Sequence, residues 1–264
     1  MLFKRELKIN FKSFLIWSII LIVLFLVVFL TYPFIMSSEN VELMNEMMKV
    51  FPEEMLKAFN MDIATIDSAF GYLKTEGMIF ITLLTGIYAS ILGSSILLKE
   101  EDDKTIEYLN SLPIKRRSIL LQKVLCSLFY LVLVVLCIGI FNFIGLEFSG
   151  EYDRKLYFLL SITPIFAVLP LFAVNLFIST FMRKTRKTFG LGLGISLVSY
   201  FLLILSEMSE EVEFLKYFTV YTLSDIRNVI LNCEINQIMF IVSILLTVGF
   251  IALTFIRYEK KELV

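Results

Sequence analysis

Six apolar stretches constrain this chain more than any other feature of its sequence. They run approximately over residues 14–36, 78–98, 119–146, 156–182, 189–205 and 238–256. At 1.5 Å per residue, stretches of this length suit helices that cross the ~30 Å hydrocarbon core of a bilayer. Hydrophobic residues make up 58% of the chain, more than a soluble domain usually covers with polar groups. The sequence predicts an all-α membrane protein with six transmembrane helices in a single domain, 1–264.

The first twelve residues form a basic, amphipathic segment ahead of the first apolar stretch. Phe3, Leu7, Phe11 and Phe14 recur at helical spacing, while basic residues fill many of the other positions. This pattern is typical of a helix that lies in the headgroup plane of the membrane, with its apolar face toward the lipid and its lysine side chains reaching to water. The sequence therefore predicts an N-terminal amphipathic interfacial helix, and a frayed tail is the alternative.

The distribution of basic residues predicts the orientation of the chain. Six spans place both termini on one side, and seventeen of the 24 Lys and Arg residues fall in segments on that side. Basic residues favour the cytoplasmic side. We therefore expect a multi-pass protein of the plasma membrane with cytoplasmic termini, a cytosolic loop 99–117 and an extracellular loop 37–76. Apolar residues at helical spacing, and Pro52 where a helix can begin, predict that this extracellular loop is helical. Two short amphipathic stretches, 212–218 and 223–231, predict helices in the extracellular loop 207–237 as well.

The composition argues against catalysis by this chain. It contains no histidine, which removes histidine metal ligands and histidine general bases. Cys126, Cys137 and Cys233 have neither metal-ligand nor disulfide spacing. No phosphate-binding G-x-x-x-x-G-K-[ST] motif occurs, so any ATP is hydrolysed elsewhere. We expect no catalytic residue, metal or cofactor, and the net charge of −1 gives no support for a nucleic-acid partner.

Prolines and small residues predict how the spans bend and pack. Pro164 and Pro170 interrupt the fourth apolar stretch, so a kink is expected there. Ser90 and Ser94 are four residues apart in the second stretch, a spacing that permits close approach of another helix. The fifth stretch opens with alternate glycines, 190–194, which we interpret as a packing face or a flexible helix start.

A charge-dense segment, Glu100 to Lys123, separates the second and third spans. Four acidic residues come first, an amphipathic stretch follows, and Pro113 ends it before a basic cluster. Acidic residues suit a helix N-terminus, and the residue before a proline disfavours helical geometry. The pattern predicts a short helix at the cytosolic surface. That helix is either a solvated connection or a docking site for a soluble partner.

This segment resembles the first cytosolic loop of the ABC-2 type permease family, the membrane subunits of ATP-binding-cassette transporters. In that family the loop reads acid, spacer, Gly-Thr, a hydrophobic residue, Glu, two apolar residues, Pro, a basic cluster and a later Lys. The matching residues are Glu100, Glu101, Thr105, Ile106, Glu107, Leu109, Pro113, Arg116, Arg117 and Lys123. Lys104 stands where the family usually has glycine.

The resemblance implies a permease subunit of an ABC transporter that exports an amphiphilic, drug, peptide or lipid-like substrate. The matching residues would form a coupling helix for a separate ATPase subunit, expected in two copies. A second permease subunit would complete a homodimer or heterodimer. The alternative is a non-transporting membrane assembly or sensor subunit whose extracellular loops face a ligand.

Overall fold

The computed structural model describes residues 2–35, 68–106, 114–150 and 152–261. Its α-helices are α1 (Leu2–Ile35), α2 (Ala69–Tyr72), α3 (Met78–Ser95), α4 (Lys99–Asp102), α5 (Arg116–Ser149), α6 (Arg154–Ile162), α7 (Pro164–Ser179), α8 (Thr185–Met208), α9 (Ile226–Asn232) and α10 (Gln237–Lys260). A π-helical turn, Leu73–Gly77, joins α2 to α3, and two 3₁₀ helices, Glu210–Phe218 and Tyr221–Ser224, follow α8. These described ranges contain no strand.

Six helical segments of the described residues are long and apolar enough to cross a membrane. They are α1, α3, α5, the pair α6 and α7, α8, and α10. This confirms the prediction of an all-α membrane protein with six spans. The helices expected between residues 37 and 67 lie outside the described residues.

The first span differs from its prediction because α1 is one continuous helix of 34 residues. No glycine or proline occurs before Pro33, so nothing in the sequence breaks the helix near residue 12. At 1.5 Å per residue α1 is about 50 Å long, well beyond the ~30 Å hydrocarbon core. The amphipathic first twelve residues therefore begin α1 and do not form a separate interfacial helix.

α3 and α7 form the centre of the bundle. α3 packs against α7 and α8, α7 also packs against α10, and α1 packs against α5. Most of the surface of α1, α8 and α10 is exposed, including large apolar side chains such as Leu30, Phe201 and Leu245. Exposed apolar surface of this extent suits contact with lipid.

Small residues allow the central helices to approach closely. A Cβ atom on Gly93 of α3 would lie 2.6 Å from the backbone oxygen of Phe172 on α7. A Cβ atom on Gly192 of α8 would meet the Ser94 side chain of α3. Gly190 and Gly194 have nothing within 4 Å of such an atom. The middle glycine of the alternate set therefore lies at a helix contact, whereas its two neighbours do not.

The prolines of the fourth span have different surroundings. α6 ends at Ile162 and α7 begins at Pro164, so the break falls at Thr163. The Thr163 hydroxyl donates to the Leu160 carbonyl at 2.8 Å and so satisfies one acceptor at the end of α6. Pro170 lies inside α7, which continues through it.

Substitution of Gly93 by alanine should destabilise the bundle by about 1–3 kcal/mol, because the new methyl group meets rigid backbone of α7. The matched variant Gly194→Ala should be neutral or stabilising by up to ~1 kcal/mol, since alanine favours a helix and has open space here. Thermal unfolding of the two purified variants in detergent measures the difference. Equal losses in both would contradict the close contact between α3 and α7.

Candidate functional site at the terminal end

Five helices meet at one end of the bundle, which we call the terminal end because α1 begins and α10 ends there. α3 also ends at this level, and α5 and α8 begin there. The short helix α4 contacts these elements through the side chains of Glu100, Glu101 and Asp102, which we call the acid run. Each acidic side chain of the run binds a different helix or its terminus.

Glu100 pairs with Lys123 of α5. The Lys123 Nζ atom lies 2.7 Å and 2.8 Å from the two carboxylate oxygens, and it also donates to the Ile96 carbonyl at 2.7 Å. Glu6 of α1 lies 3.5 Å from the same Nζ atom. The three charged side chains are at most 5% exposed. A buried charge needs such partners, since its transfer out of water costs several kcal/mol.

A second lysine extends this buried cluster toward α1. Lys99 donates from Nζ to the side-chain oxygen of Asn10, whose amide nitrogen donates to the Glu6 carbonyl at 2.9 Å. Burial lowers the pKa of Lys99, and the nearby charge of Lys123 lowers it further. Glu6 and Glu100 oppose this shift. The Glu6 and Glu100 carboxylates therefore offset part of the repulsion between the two lysines.

Glu101 connects the run to the end of α10. Its carboxylate accepts from Lys261 Nζ at 2.6 Å, and both side chains are less than 10% exposed. Lys261 Nζ also donates to the Met182 carbonyl at 2.8 Å, and its own carbonyl accepts from Arg116. One lysine just past α10 thus joins the acid run, the segment before α8 and the start of α5.

Asp102 connects the run to the start of α8. Its carboxylate accepts from the backbone N–H of Thr185, the first residue of α8, at 2.8 Å. The first N–H groups of a helix have no intrahelical partner, and a negative charge there also suits the helix dipole. Asp102 therefore caps α8 from outside that helix.

The turn after α4 explains the unusual position of Lys104. Its φ is 54°, in the left-handed region that favours glycine. The Thr105 N–H donates to the Glu100 carbonyl at 2.9 Å, and the Lys104 N–H donates to the Glu101 carbonyl. These two bonds are those of a Schellman motif, which usually places glycine at this residue. The turn is therefore kept although the sequence has lysine.

The other predicted site residues that the structure describes lie around the acid run. Ile106 packs with Leu2 and Ile119 in a small apolar cluster. Arg116 donates to the carbonyl that follows α10, and Arg117 pairs with Glu259 at the surface. Glu107, Leu109 and Pro113 lie outside the described residues.

No group of three or more His, Cys, Asp or Glu among the described residues could hold a metal ion.

Comparison with known families decides the class of this protein. The family model described as ABC-2 family transporter protein matches residues 1–263. The chain belongs to the ABC-2 transporter family. It is accordingly a permease of an ABC transporter and a multi-pass membrane protein, and a membrane subunit of this family is not itself the catalytic one. No curated protein and no solved structure matches the chain.

In this ABC-2 protein, the sequence reasoning missed Glu6 and Asn10. Phe3, Leu7, Phe11 and Phe14 form the face predicted to meet the membrane, and Phe11 is 49% exposed on the surface of the bundle. The buried stripe is instead Leu2, Glu6, Asn10 and Phe14. Their regular spacing of four residues is a signal that the sequence does contain. Apolar side chains alone do not identify this stripe, because phenylalanines can face lipid and the buried lysines require polar partners.

Lys261 and Thr185 of this ABC-2 protein were also missed as partners of the acid run. In the sequence, Lys261 is distinguished only as one of the basic residues on the side of the termini. Thr185 contributes a backbone N–H, which no side-chain pattern reveals. Both contacts join residues more than 80 positions apart, so only the packing of the helices brings them together.

Replacement of Lys123 by methionine should destabilise the protein by about 3–5 kcal/mol, because two buried carboxylates lose their cation. The control Lys115→Met removes an exposed lysine of the same segment and should change stability by less than ~0.5 kcal/mol. Unfolding in detergent measures both. Adding Glu100→Gln to Lys123→Met should recover part of the lost stability. A double variant whose loss of stability equals the sum of the two single losses would contradict a direct ion pair.

Replacement of Lys104 by glycine should stabilise the turn by up to ~1 kcal/mol, since relief of left-handed strain exceeds the entropy cost of glycine. The control Lys12→Gly, at an exposed position inside α1, gains no such relief and should lose ~0.5–1 kcal/mol. Hydrogen exchange of residues 99–106, together with thermal unfolding, measures the effect. A loss in Lys104→Gly equal to that of the control would argue against the Schellman turn.

Proposed function

We propose that this ABC-2 protein is the permease subunit of an exporter whose separate ATPase docks on residues 99–117. The exported substrate is amphiphilic, a drug, a peptide or lipid-like. Residues 1–264 act as a single permease domain in the plasma membrane, with both termini cytoplasmic. Two ATPase copies and a second permease subunit, identical or homologous, complete the transporter.

The contacts of the acid run are the observation that carries this proposal. Glu100, Glu101 and Asp102 are consecutive, and they bind Lys123 at α5, Lys261 after α10 and the first N–H of α8. An ATPase that displaces α4 therefore acts on three spans through hydrogen-bonded contacts. Two of these contacts are buried ion pairs, which cost several kcal/mol to separate. The spans should consequently follow α4 when it moves.

ATP hydrolysis can drive the permease through this site only if the ATPase binds two arrangements of the permease with different affinities. An ATPase shifts the permease between two arrangements to the extent that it binds one of them more tightly. The docking surface is therefore expected to be compatible with both arrangements, while the acid run transmits the change. The cation of Lys123 remains paired in either arrangement as long as α1, α4 and α5 move together.

The alternative, a non-transporting assembly or sensor subunit, differs in its dependence on ATP. The decisive experiment purifies the tagged chain from its native membranes, identifies any subunit with a phosphate-binding loop, and reconstitutes the complex in vesicles. An exporter should move a fluorescent phospholipid or amphiphilic dye between leaflets only with hydrolysable ATP. A chain that purifies without an ATPase and moves neither probe would refute the exporter.

The double variant Glu101→Gln/Asp102→Asn should separate ATP hydrolysis from transport, because it removes the two negative charges that bind Lys261 after α10 and the N-terminus of α8. We expect ATPase binding to persist and ATP-driven probe movement to fall on the order of tenfold, equivalent to about 1.4 kcal/mol of coupling. The control Glu211→Gln/Glu234→Gln changes exposed acids at the opposite end of the bundle. Unchanged transport per ATP in the first variant would contradict coupling through the acid run.

A further inference from the structure

A cavity of about 100 Å³ lies at the opposite end of the bundle, which we call the far end because α3 begins and α8 ends there. Its walls come from the start of α3, the end of α8 and the segment between Val220 and Arg227. The apolar part of the lining includes Ile79, Leu203 and Ile204. The cavity is separate from the acid run, and the family assignment does not account for it.

One acidic side chain of the cavity lining, Glu207, has no partner among the described residues. Glu207 is half-buried and makes no hydrogen bond or ion pair with the residues that the structure describes. Arg227, the basic residue of the lining, forms no ion pair with it. Asp225, the other acid, already accepts from the Asn236 amide at 3.0 Å. Glu207 therefore has free capacity for a cation or a hydrogen-bond donor.

A buried hydroxyl group also lacks a partner at this cavity. Thr82 is 3% exposed and lines the cavity, and its Oγ1 atom has no hydrogen-bond partner within the described parts of the chain. Buried polar side chains are nearly always hydrogen-bonded, so an orphaned hydroxyl beside an open volume indicates a missing polar group. A ligand with a donor group would satisfy it.

The remaining wall is aromatic and held in place. The Tyr200 and Tyr221 rings make an edge contact at 5.5 Å between centroids. The Tyr221 hydroxyl hydrogen-bonds with Ser196 at 2.6 Å, and burial raises the pKa of this hydroxyl, so it stays protonated. Aromatic faces attract cations, most strongly where water is excluded. The wall is thus formed before any ligand binds.

We propose that the far-end cavity binds an amphiphilic ammonium cation. Its protonated amine pairs with Glu207 and donates to Thr82, and its apolar body lies against Ile79, Leu203 and Ile204. The lining has two acids and one base, which favours a cation over an anion. The position at the end of α8 suits a ligand that partitions into the membrane surface. A free amine and an ethanolamine lipid headgroup share this chemistry.

The test titrates the full purified chain in a neutral maltoside detergent with hexylammonium, hexanol and hexanoate, measured by calorimetry. Hexylammonium should bind at least about tenfold more tightly than hexanol, since hydrogen bonds to charged groups are the stronger ones. Glu207→Gln should remove this difference, and Thr82→Val, which keeps the shape, should reduce it. The control Glu211→Gln, an exposed acid nearby, should leave it unchanged.

Competition identifies the source of the ligand. If short-chain phosphatidylethanolamine displaces hexylammonium and phosphatidylglycerol does not, the cavity binds a lipid headgroup. If neither lipid displaces hexylammonium, the cavity binds a free amine. Equal binding of hexylammonium and hexanol, tighter binding of hexanoate, or an equal loss in Glu211→Gln would overturn the proposal. Thermal unfolding checks that each variant is folded. No ATPase is needed, so this result is independent of the proposed transport function.

Discussion

The buried charge of Lys123 is the constraint on which the terminal end depends. Its side chain is almost entirely removed from water, and its partners come from α1, α4 and the end of α3. A buried lysine at this position requires all of these partners, because an unpaired buried charge lowers the stability of the fold by several kcal/mol. The lysine thereby determines how α1 and α4 are positioned against α5.

The two ends of the bundle share the same central helices. α3 leads from Thr82 at the far-end cavity to the acid run, and α8 leads from the N–H capped by Asp102 to Glu207. Glycine and serine contacts hold α3 and α8 against each other and against α7 between these sites. Close packing of this kind transmits displacement, because interiors without voids deform little.

Lys104 occupies a turn whose backbone geometry suits glycine. The residue adopts the left-handed conformation for which glycine is suited, and the two hydrogen bonds of the turn are present. The turn directs the chain from α4 to Ile106, which packs at the start of α1 and α5. The Schellman turn thus forms with a lysine at its left-handed position, and the lysine side chain is exposed.

The sequence by itself determined the number of spans, the helical class, the break before Pro164 and the segment that resembles the ABC-2 loop. These follow from local composition and backbone chemistry, which act over a few residues. Only the tertiary structure decided that Glu6 and Asn10 face inward, that Lys261 binds Glu101, and that Glu207 borders a cavity with Thr82. Those outcomes depend on which distant helices become neighbours. In a bilayer an apolar face can point to lipid as readily as to protein, so periodicity alone does not reveal the inner face.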